Sequence, residues 1–195
     1  MREGSRHLRI RPKFIIIPPL RKAEVGTVRP LFCAPRAISK NIDRDISVTT
    51  SLTFPLEVEE GWPPAGTECL SFLAEGEEKF RNLSCPLFVK DLSVDDVIEA
   101  GIDQDGIVSE WRHVHKSKRS VVWLLRLQEG DGLYTCLRML RESGCNTAGI
   151  DELGSYSVDV PEDVELRKVD SILANLHDDE VAVAFPSLRH LELDS

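Results

Sequence analysis

Residues 132–143 read GLYTCLRMLRES, and apolar side chains recur in them at positions i, i+3, i+4 and i+7: Leu133, Cys136, Leu137 and Leu140. This spacing places the four on one face of an α-helix, and Gly144 follows where helices commonly end in a left-handed residue. Cys136 belongs to the apolar face, which favours a packed thiol over a reactive one. The segment therefore predicts an amphipathic helix that ends before Gly144.

The sequence around this helix predicts a second helix and four strands. Strands are expected at residues 121–127, 145–150, 155–160 and 180–185, with a turn at 151–154. Pro161-Glu162-Asp163 has the proline and the acids typical of a first helical turn, so the second helix is expected to begin there. Its apolar face consists of Leu166, Val169, Ile172, Leu173 and Leu176. The order β-α-β-β-α-β predicts a ferredoxin-like unit with both helices on one face of an antiparallel sheet.

Short segments of β-type sequence precede this unit. Strands are favoured at residues 46–54, 67–74, 79–83 and 107–114, with a turn followed by a strand at 92–100, an edge pairing at 87–89 and a hairpin turn at Asp105-Gly106. Such short, regularly spaced strands predict a small β-barrel-like or curled antiparallel sheet. The chain is thus expected to be α+β, with a β-rich subdomain at 47–118, a ferredoxin-like subdomain at 119–190 and a tail at 191–195.

Charge divides the chain into two different parts. Residues 1–46 hold eleven lysines and arginines against four acidic residues, a net charge of +7, whereas residues 47–195 carry a net charge of −16. Repeated prolines and the lack of a sustained period predict a disordered arm over residues 1–46, with a short strand at residues 14–17 as its one regular element. Two interpretations stay open: a functional arm, or an upstream extension of the reading frame.

The composition disfavours several classes of protein. An acidic body repels phosphate backbones, so nucleic acid is expected to bind only through the basic arm, if at all. The longest apolar run, residues 121–125, falls far short of the roughly 20 residues that span a bilayer, and the run at 14–17 is shorter than a secretory h-region. Five cysteines without a Cys-x-x-Cys pair argue against a disulfide framework. A soluble, cytoplasmic protein with no cofactor and no membrane partner is predicted.

Basic residues and histidines cluster at residues 112–119, at the end of the strand at 107–114 and just after it. His113 and His115 share a strand face, as metal ligands can, but two ligands do not make a site and no metal is predicted. The cluster also contains Arg112, Lys116, Lys118 and Arg119. Together these side chains could bind an anion such as a phosphate, a nucleotide or an acidic peptide. The alternative is a solvated hairpin end that balances local charge.

Two further residues are candidates for function. Trp62 could anchor a partner or ligand, with Glu68 as a nearby polar contact, or it could plug the mouth of the small barrel. Cys85 could be a reactive thiol if a base lay close to it, but no local catalytic signature accompanies it, which favours a structural role.

Several short motifs resemble one family of bacterial proteins. They are Gly61-Trp62-Pro63-Pro64, Glu68, Asn82, Pro86, Phe88, Asp96-Val97, Gly106, Gly144-Cys145 and Pro161. In combination they resemble the family catalogued as domain of unknown function family 4265, over roughly residues 48–190. The resemblance departs at residues 115–121, where Lys116-Ser117-Lys118-Arg119 replaces the family's small-residue turn followed by an arginine in the strand. It implies a fold boundary and carries no activity and no site residue.

No catalytic motif points to a reaction class. The sequence contains no Gly-x-x-x-x-Gly-Lys phosphate loop, no Gly-x-Ser-x-Gly elbow and no His-Glu-x-x-His pair. The leading hypothesis is therefore a non-catalytic protein-binding or regulatory module for a basic partner. The alternative is a sensor or enzyme for a small anionic ligand in a cleft between the two subdomains, where Trp62, Arg112, His113 and His115 would meet.

Overall fold

The computed structural model describes residues 48–190, so the predicted basic arm and the tail at 191–195 lie outside the described residues. The described part is α+β, as predicted, and contains two antiparallel sheets and two helices. The strands are β1 (Thr49–Pro55), β2 (Thr67–Ala74), β3 (Lys79–Asn82), β4 (Val97–Ile102), β5 (Val108–His115), β6 (Ser120–Arg126), β7 (Asn146–Ile150), β8 (Ser155–Val160) and β9 (Val181–Ser187). The helices are α1 (Gly132–Glu142) and α2 (Leu166–Leu173). No helix among the described residues is long and apolar enough to cross a membrane.

The first sheet has the strand order β1-β2-β3-β4-β5 and is open. Backbone hydrogen bonding between its two edges is confined to one place, where the Thr53 N–H donates to the Gly106 carbonyl at 2.9 Å and Thr53 bridges Ile107. This contact involves the turn before β5 rather than the length of that strand. The closed form of the predicted barrel is therefore not formed. The hairpin turn is confirmed, since Gly106 has a φ of 78° between β4 and β5.

Residues 87–89 were expected to pair as an edge strand, and this prediction is wrong. They form an irregular loop, because their backbone N–H groups are bound by the side chain of Glu68 rather than by a neighbouring strand. Phe88 and Val89 nevertheless remain buried. The loop thus fills the space beneath the first sheet without extending it.

The second sheet has the strand order β7-β8-β6-β9, and every neighbouring pair is antiparallel. Helix α1 connects β6 to β7, and α2 connects β8 to β9. The predicted apolar face of α1 is confirmed, since Leu133, Cys136, Leu137 and Leu140 are all buried in one core with β6 and β8. Burying a side chain the size of leucine stabilises a fold by about 1.5–3 kcal/mol.

Helix α2 begins at Leu166, five residues later than its expected start. Pro161 instead opens a turn in which the Val164 N–H donates to the Pro161 carbonyl at 3.1 Å. The turn buries Val164 in the core of the second sheet, and Glu165 then precedes the helix in an extended conformation. Packing of Val164 therefore overrides the local preference of the proline and acids for a helical first turn.

Candidate functional site

The predicted site residues lie in several separate places rather than in one pocket. Trp62 is half-buried, and its ring centroid lies 5.8 Å from that of Phe88 in an edge-to-face contact. Trp62 and Glu68 therefore both contact the loop at residues 87–89, as the pairing of these two residues suggested. None of the contacts at this loop involves Arg112, His113 or His115.

The carboxylate of Glu68 is a structural ligand of that loop. It accepts three backbone hydrogen bonds, from Leu87 at 2.6 Å, Phe88 at 2.9 Å and Val89 at 2.8 Å. Burial raises the pKa of Glu68 above its ordinary value, although the three N–H donors lower it. Only 8% of the residue is exposed, so the carboxylate is closed to a ligand and holds the loop instead.

Two of the predicted basic residues form exposed ion pairs. Arg112 on β5 donates to Glu99 on the neighbouring strand β4 at 2.7 and 2.8 Å. Lys118 lies 3.8 Å from Glu162, and both side chains are more than half exposed. These pairs balance charge locally, which is the alternative that the sequence left open.

A buried ion pair joins the first sheet to the residues that follow β9. The Asp96 carboxylate is fully buried and lies 3.2 Å from the Arg189 guanidinium, which is 4% exposed. The same carboxylate accepts backbone N–H groups from Ser93 at 2.9 Å and Ser117 at 2.7 Å. Next to this pair, the hydroxyls of Ser93 and Ser187 are 2.7 Å apart.

We call the region around the Asp96–Arg189 pair, where the first sheet contacts the second half of the chain, the junction. His113 contacts it from β5. Its Nε2 lies 3.1 Å from Asp96 Oδ2, its Nδ1 lies 4.0 Å from Asp91, and its ring packs edge-on against Trp111. Asp91 also binds Lys116 at 2.8 Å. Burial favours a higher pKa for Asp91, but its contacts with Lys116, Arg189 and His113 together lower that pKa. Two predicted site residues, His113 and Lys116, are thus brought together, and what they contact is carboxylate.

His115 does not join His113. A register irregularity between β4 and β5 places His113 opposite Ile98 and His115 opposite Val97, and His115 is exposed. Within residues 48–190, no group of three or more His, Cys, Asp or Glu side chains is placed to hold a metal ion.

Arg119, which lies between β5 and β6, forms a second contact at the junction, with strand β8 of the second sheet. Its guanidinium donates twice to Asp159 on β8, once at 2.8 Å and once through a shorter bond, and lies 3.5 Å from Asp95. Asp159 is 1% exposed and also accepts from Asn146 at 2.8 Å. The hydrogen bond to Asp159 raises the pKa of Arg119 despite partial burial, so this base is bound to a carboxylate of the same chain, although 22% of its side chain is exposed.

Cys85 is a structural thiol at the same junction. Its Sγ lies 2.8 Å from the Ser157 hydroxyl on β8, and beside it the Trp123 indole donates to the Pro86 carbonyl at 2.8 Å. Burial raises the pKa of Cys85 to about 12, although the bond to Ser157 lowers it. Because only a thiolate is an effective nucleophile, this raised pKa favours a structural role for Cys85 over a reactive one.

Three loops that carry acidic residues lie together at one end of the second sheet, and we call their acidic residues the acidic end. The loops are joined by hydrogen bonds from the Leu127 N–H to the Glu180 carbonyl at 2.7 Å and from the Gln128 side chain to the Asp179 carbonyl at 3.0 Å. A shallow groove between them is lined by residues 126–129 and 152–154. The acidic end consists of Glu129, Asp131, Glu152, Asp178, Asp179 and Glu180.

Arg126 lies beside these carboxylates but its guanidinium is already engaged. It donates to the Tyr134 hydroxyl at 2.6 Å and to the Asp151 carbonyl at 2.9 Å, and it lies 3.8 Å from Glu129. Tyr156 donates to the Asp151 carboxylate, and burial with this bond raises the pKa of Tyr156. Leu127, next along the chain, is 38% exposed in the groove. The acidic end therefore presents negative charge around an apolar side chain.

Sequence reasoning missed the buried residues of the junction, above all Asp96, Arg189 and Asp159. The motif Asp96-Val97 carried part of the family resemblance, which was the one available signal for Asp96. Nothing local marks Arg189, because its partner lies 93 positions away in the chain.

A family model described as a domain of unknown function (DUF4265) matches residues 68–184, which is more than half of the chain. Among solved structures, the one titled a novel crystal structure of a hypothetical protein from Neisseria gonorrhoeae is similar, with a TM-score of 0.58 and 15% sequence identity. The similarity covers 75% of this chain and 99% of that chain. At this identity the likeness concerns the fold alone. No curated protein matches the chain.

Proposed function

The chain belongs to the family described as domain of unknown function DUF4265, and on that premise we propose that it is a non-catalytic binding module whose acidic end receives a basic protein partner. The observation that carries the proposal is the shallow groove in which Glu129 and Glu152 lie beside the exposed Leu127, with the acidic loop at residues 178–180 hydrogen-bonded to its rim. A lysine- or arginine-rich segment would gain charge-assisted hydrogen bonds there, and an apolar side chain of the segment would cover Leu127.

The charge balance of the whole described region supports a basic partner. Residues 48–190 contain 27 acidic residues and 13 lysines or arginines. At least eight of these bases lie within 4.0 Å of a carboxylate in the same chain: Arg81, Arg112, Lys116, Lys118, Arg119, Arg126, Arg138 and Arg189. Intramolecular pairing thus uses most of the positive charge and leaves an excess of carboxylates at the surface, which steers basic partners toward the protein.

The competing function, a sensor or enzyme for a small anion at residues 112–119, has weaker support. Each of the four bases in this segment already has a carboxylate within 4.0 Å, so an anion would have to displace an acidic side chain. His113 lies between Asp96 and Asp91, which would repel an anion. The observations therefore favour recognition of a cation.

Two finer points of architecture belong to the same proposal. We infer that residues 119–190 form a ferredoxin-like subdomain, because the element order β-α-β-β-α-β and the strand order β7-β8-β6-β9 are those of that fold. Residues 47–118 would be the second subdomain. On this division, the acidic end lies wholly within the ferredoxin-like subdomain.

The test is affinity capture with charge-reversed variants of the full chain. A partner retained from the native host's lysate should be lost with Glu129→Lys/Glu152→Lys. It should be kept with Glu57→Lys/Glu110→Lys, which changes net charge equally at exposed positions of the first half. Retention should fall steeply between low and high salt because surface charge is screened. Equal capture by both variants, or no basic protein among those captured, would overturn the proposal.

A further inference from the structure

The outer edge of β9 is an unpartnered strand edge in the described part of the chain. β9 is the last strand in the order β7-β8-β6-β9, and it pairs with β6 on its inner side. On the outer side, the Asp91 N–H donates to the Pro186 carbonyl at 3.1 Å and marks one end of the open stretch. Every second residue of this stretch therefore directs its backbone N–H and C=O outward, and an open edge of this kind is a template for another strand.

The side chains along this edge are apolar. Val183 packs against the core of the second sheet, while Ala184 and Phe185 are exposed, Phe185 at 39%. Phe185 lies where the register of β9 against β6 becomes irregular, between Ala184 and Ser187. An added strand with an apolar residue beside Phe185 would cover its exposed side chain.

One segment of this chain has the required sequence. Phe14-Ile15-Ile16-Ile17 is a four-residue apolar run of high β-propensity, and Pro18-Pro19 ends it. It follows a run of bases that comprises Arg6, Arg9, Arg11 and Lys13. The open stretch of β9 is also four residues long, and it ends at Pro186.

Charge selects the direction in which this segment would lie. β9 begins directly after Glu180, at the acidic end, and runs away from it toward Ser187. A strand parallel to β9 would place the bases before Phe14 beside Asp178, Asp179 and Glu180, whereas an antiparallel strand would carry them to the opposite end. Complementary charge therefore favours the parallel arrangement.

The connecting chain is long enough for this contact. Thirty residues separate Ile17 from Val48, where the described residues begin, and thirty residues in extended conformation reach about 100 Å. This exceeds the dimensions of a domain of some 140 residues, whose radius of gyration is about 14 Å. Any edge of the second sheet is within reach.

We propose that residues 14–17 of the basic arm dock on the outer edge of β9 as a parallel fifth strand of the second sheet, with the preceding bases against the acidic end. The arm then occupies part of the surface proposed for the basic partner and regulates its access. This regulatory role rests on the proposed function, whereas docking itself does not.

Amide hydrogen exchange of the full-length protein tests the docking in the absence of any partner. The outward-facing amides among residues 182–185, which do not bond to β6, should be protected in the wild type, and Ile15→Asp/Ile17→Asp should speed their exchange by about tenfold or more. Ile10→Asp, in the same arm but before Pro12, is the matched control and should leave the protection unchanged. Unchanged exchange of the α1 amides shows that the variants are folded.

Two outcomes would overturn the docking. In the first, the outward amides of β9 exchange as fast in the wild type as in the double variant. In the second, their protection rises with protein concentration, which identifies a second copy as the occupant. Neither outcome depends on Glu129 or Glu152, so failure of this proposal is distinguishable from failure of the proposed function.

Discussion

The Arg189 guanidinium lies 3.2 Å from the Asp96 carboxylate, and the two side chains are 4% and 0% exposed. The pair connects the loop before β4 to the residues after β9, which are 93 positions apart in the chain. Arg189 also donates to the Asp91 carbonyl at 3.0 Å, and its backbone N–H donates to the Ser120 hydroxyl at 2.8 Å. A single arginine thus ties the first sheet to both ends of the second half.

Removal of one partner from this pair should be strongly destabilising. Arg189→Met leaves the Asp96 carboxylate buried without its guanidinium, and breaking a buried ion pair in this way costs about 3–5 kcal/mol. Urea unfolding of the full chain measures the loss. The control is Arg112→Met, whose pair with Glu99 is exposed and should contribute about 0–1 kcal/mol.

A double variant separates the effect of losing the ion pair from the effect of losing side-chain volume. Asp96→Leu/Arg189→Met removes both charges, so its loss of stability should be smaller than the sum of the two single losses. Equal losses for Arg189→Met and Arg112→Met would show that the buried pair does not hold the junction.

Glu68 should give the protein a pH dependence of opposite sign to that of most acidic side chains. Burial raises the pKa of Glu68 in the folded state despite its three N–H donors. The folded protein therefore binds this proton more tightly than the unfolded chain does. The contribution of Glu68 to the free energy of unfolding is then greatest at low pH and falls as pH rises from its ordinary pKa through its raised folded pKa.

Glu68→Gln removes this titration and is the test. The difference in free energy of unfolding between wild type and variant should change across that pH window and be flat above it, in urea unfolding at a series of pH values. The amide should also cost about 1–3 kcal/mol at neutral pH, because its NH2 group cannot accept from the three backbone donors. Asp91→Asn is a control of opposite sign, because the pKa of Asp91 is lowered and its contribution is lost as pH falls. A pH-independent difference for Glu68→Gln would contradict the expectation.

Cys85 should resist alkylation in the folded protein. Burial raises its pKa to about 12, and its Sγ is bonded to the Ser157 hydroxyl, so the thiolate is scarce and shielded. Iodoacetamide labelling followed by peptide mass spectrometry should modify Cys85 in urea but not in native buffer. Cys136, whose pKa burial raises to about 11, should behave in the same way. If iodoacetamide labels Cys85 rapidly in native buffer while Cys136 stays protected, the reactive-thiol hypothesis is restored.

The spacing of apolar residues predicted those elements whose formation depends mainly on one buried face. The spacing of Leu133 to Leu140 gave α1 with nearly the observed bounds, since one buried face is enough to specify an amphipathic helix. The start of α2 was misplaced because Val164 is buried by the tertiary fold, and sequence spacing does not report that contact.

The candidate site was predictable only in part. Trp62, Glu68 and His113 were identified, but their partners in space, Phe88, the 87–89 loop and Asp96, follow from tertiary contacts. The acidic end was visible only as net charge, because its carboxylates come from three loops that the sheet brings together. Long-range pairing of this kind leaves no period in the sequence.

Gly149 should be intolerant of any side chain because Tyr156 lies across it. A Cβ at Gly149 would be 2.9 Å from Tyr156 Cε1 and closer still to Cδ1, and the ring cannot shift freely since its hydroxyl is bonded to Asp151. Gly149→Ala should therefore cost about 1–3 kcal/mol of overpacking, measured by thermal or urea unfolding. Gly66→Ala is the matched control, because nothing lies within 4 Å of its Cβ, and it should be neutral or stabilising by about 0.4–1 kcal/mol. If both variants unfold at the same denaturant concentration, Tyr156 does not pack on Gly149 in solution.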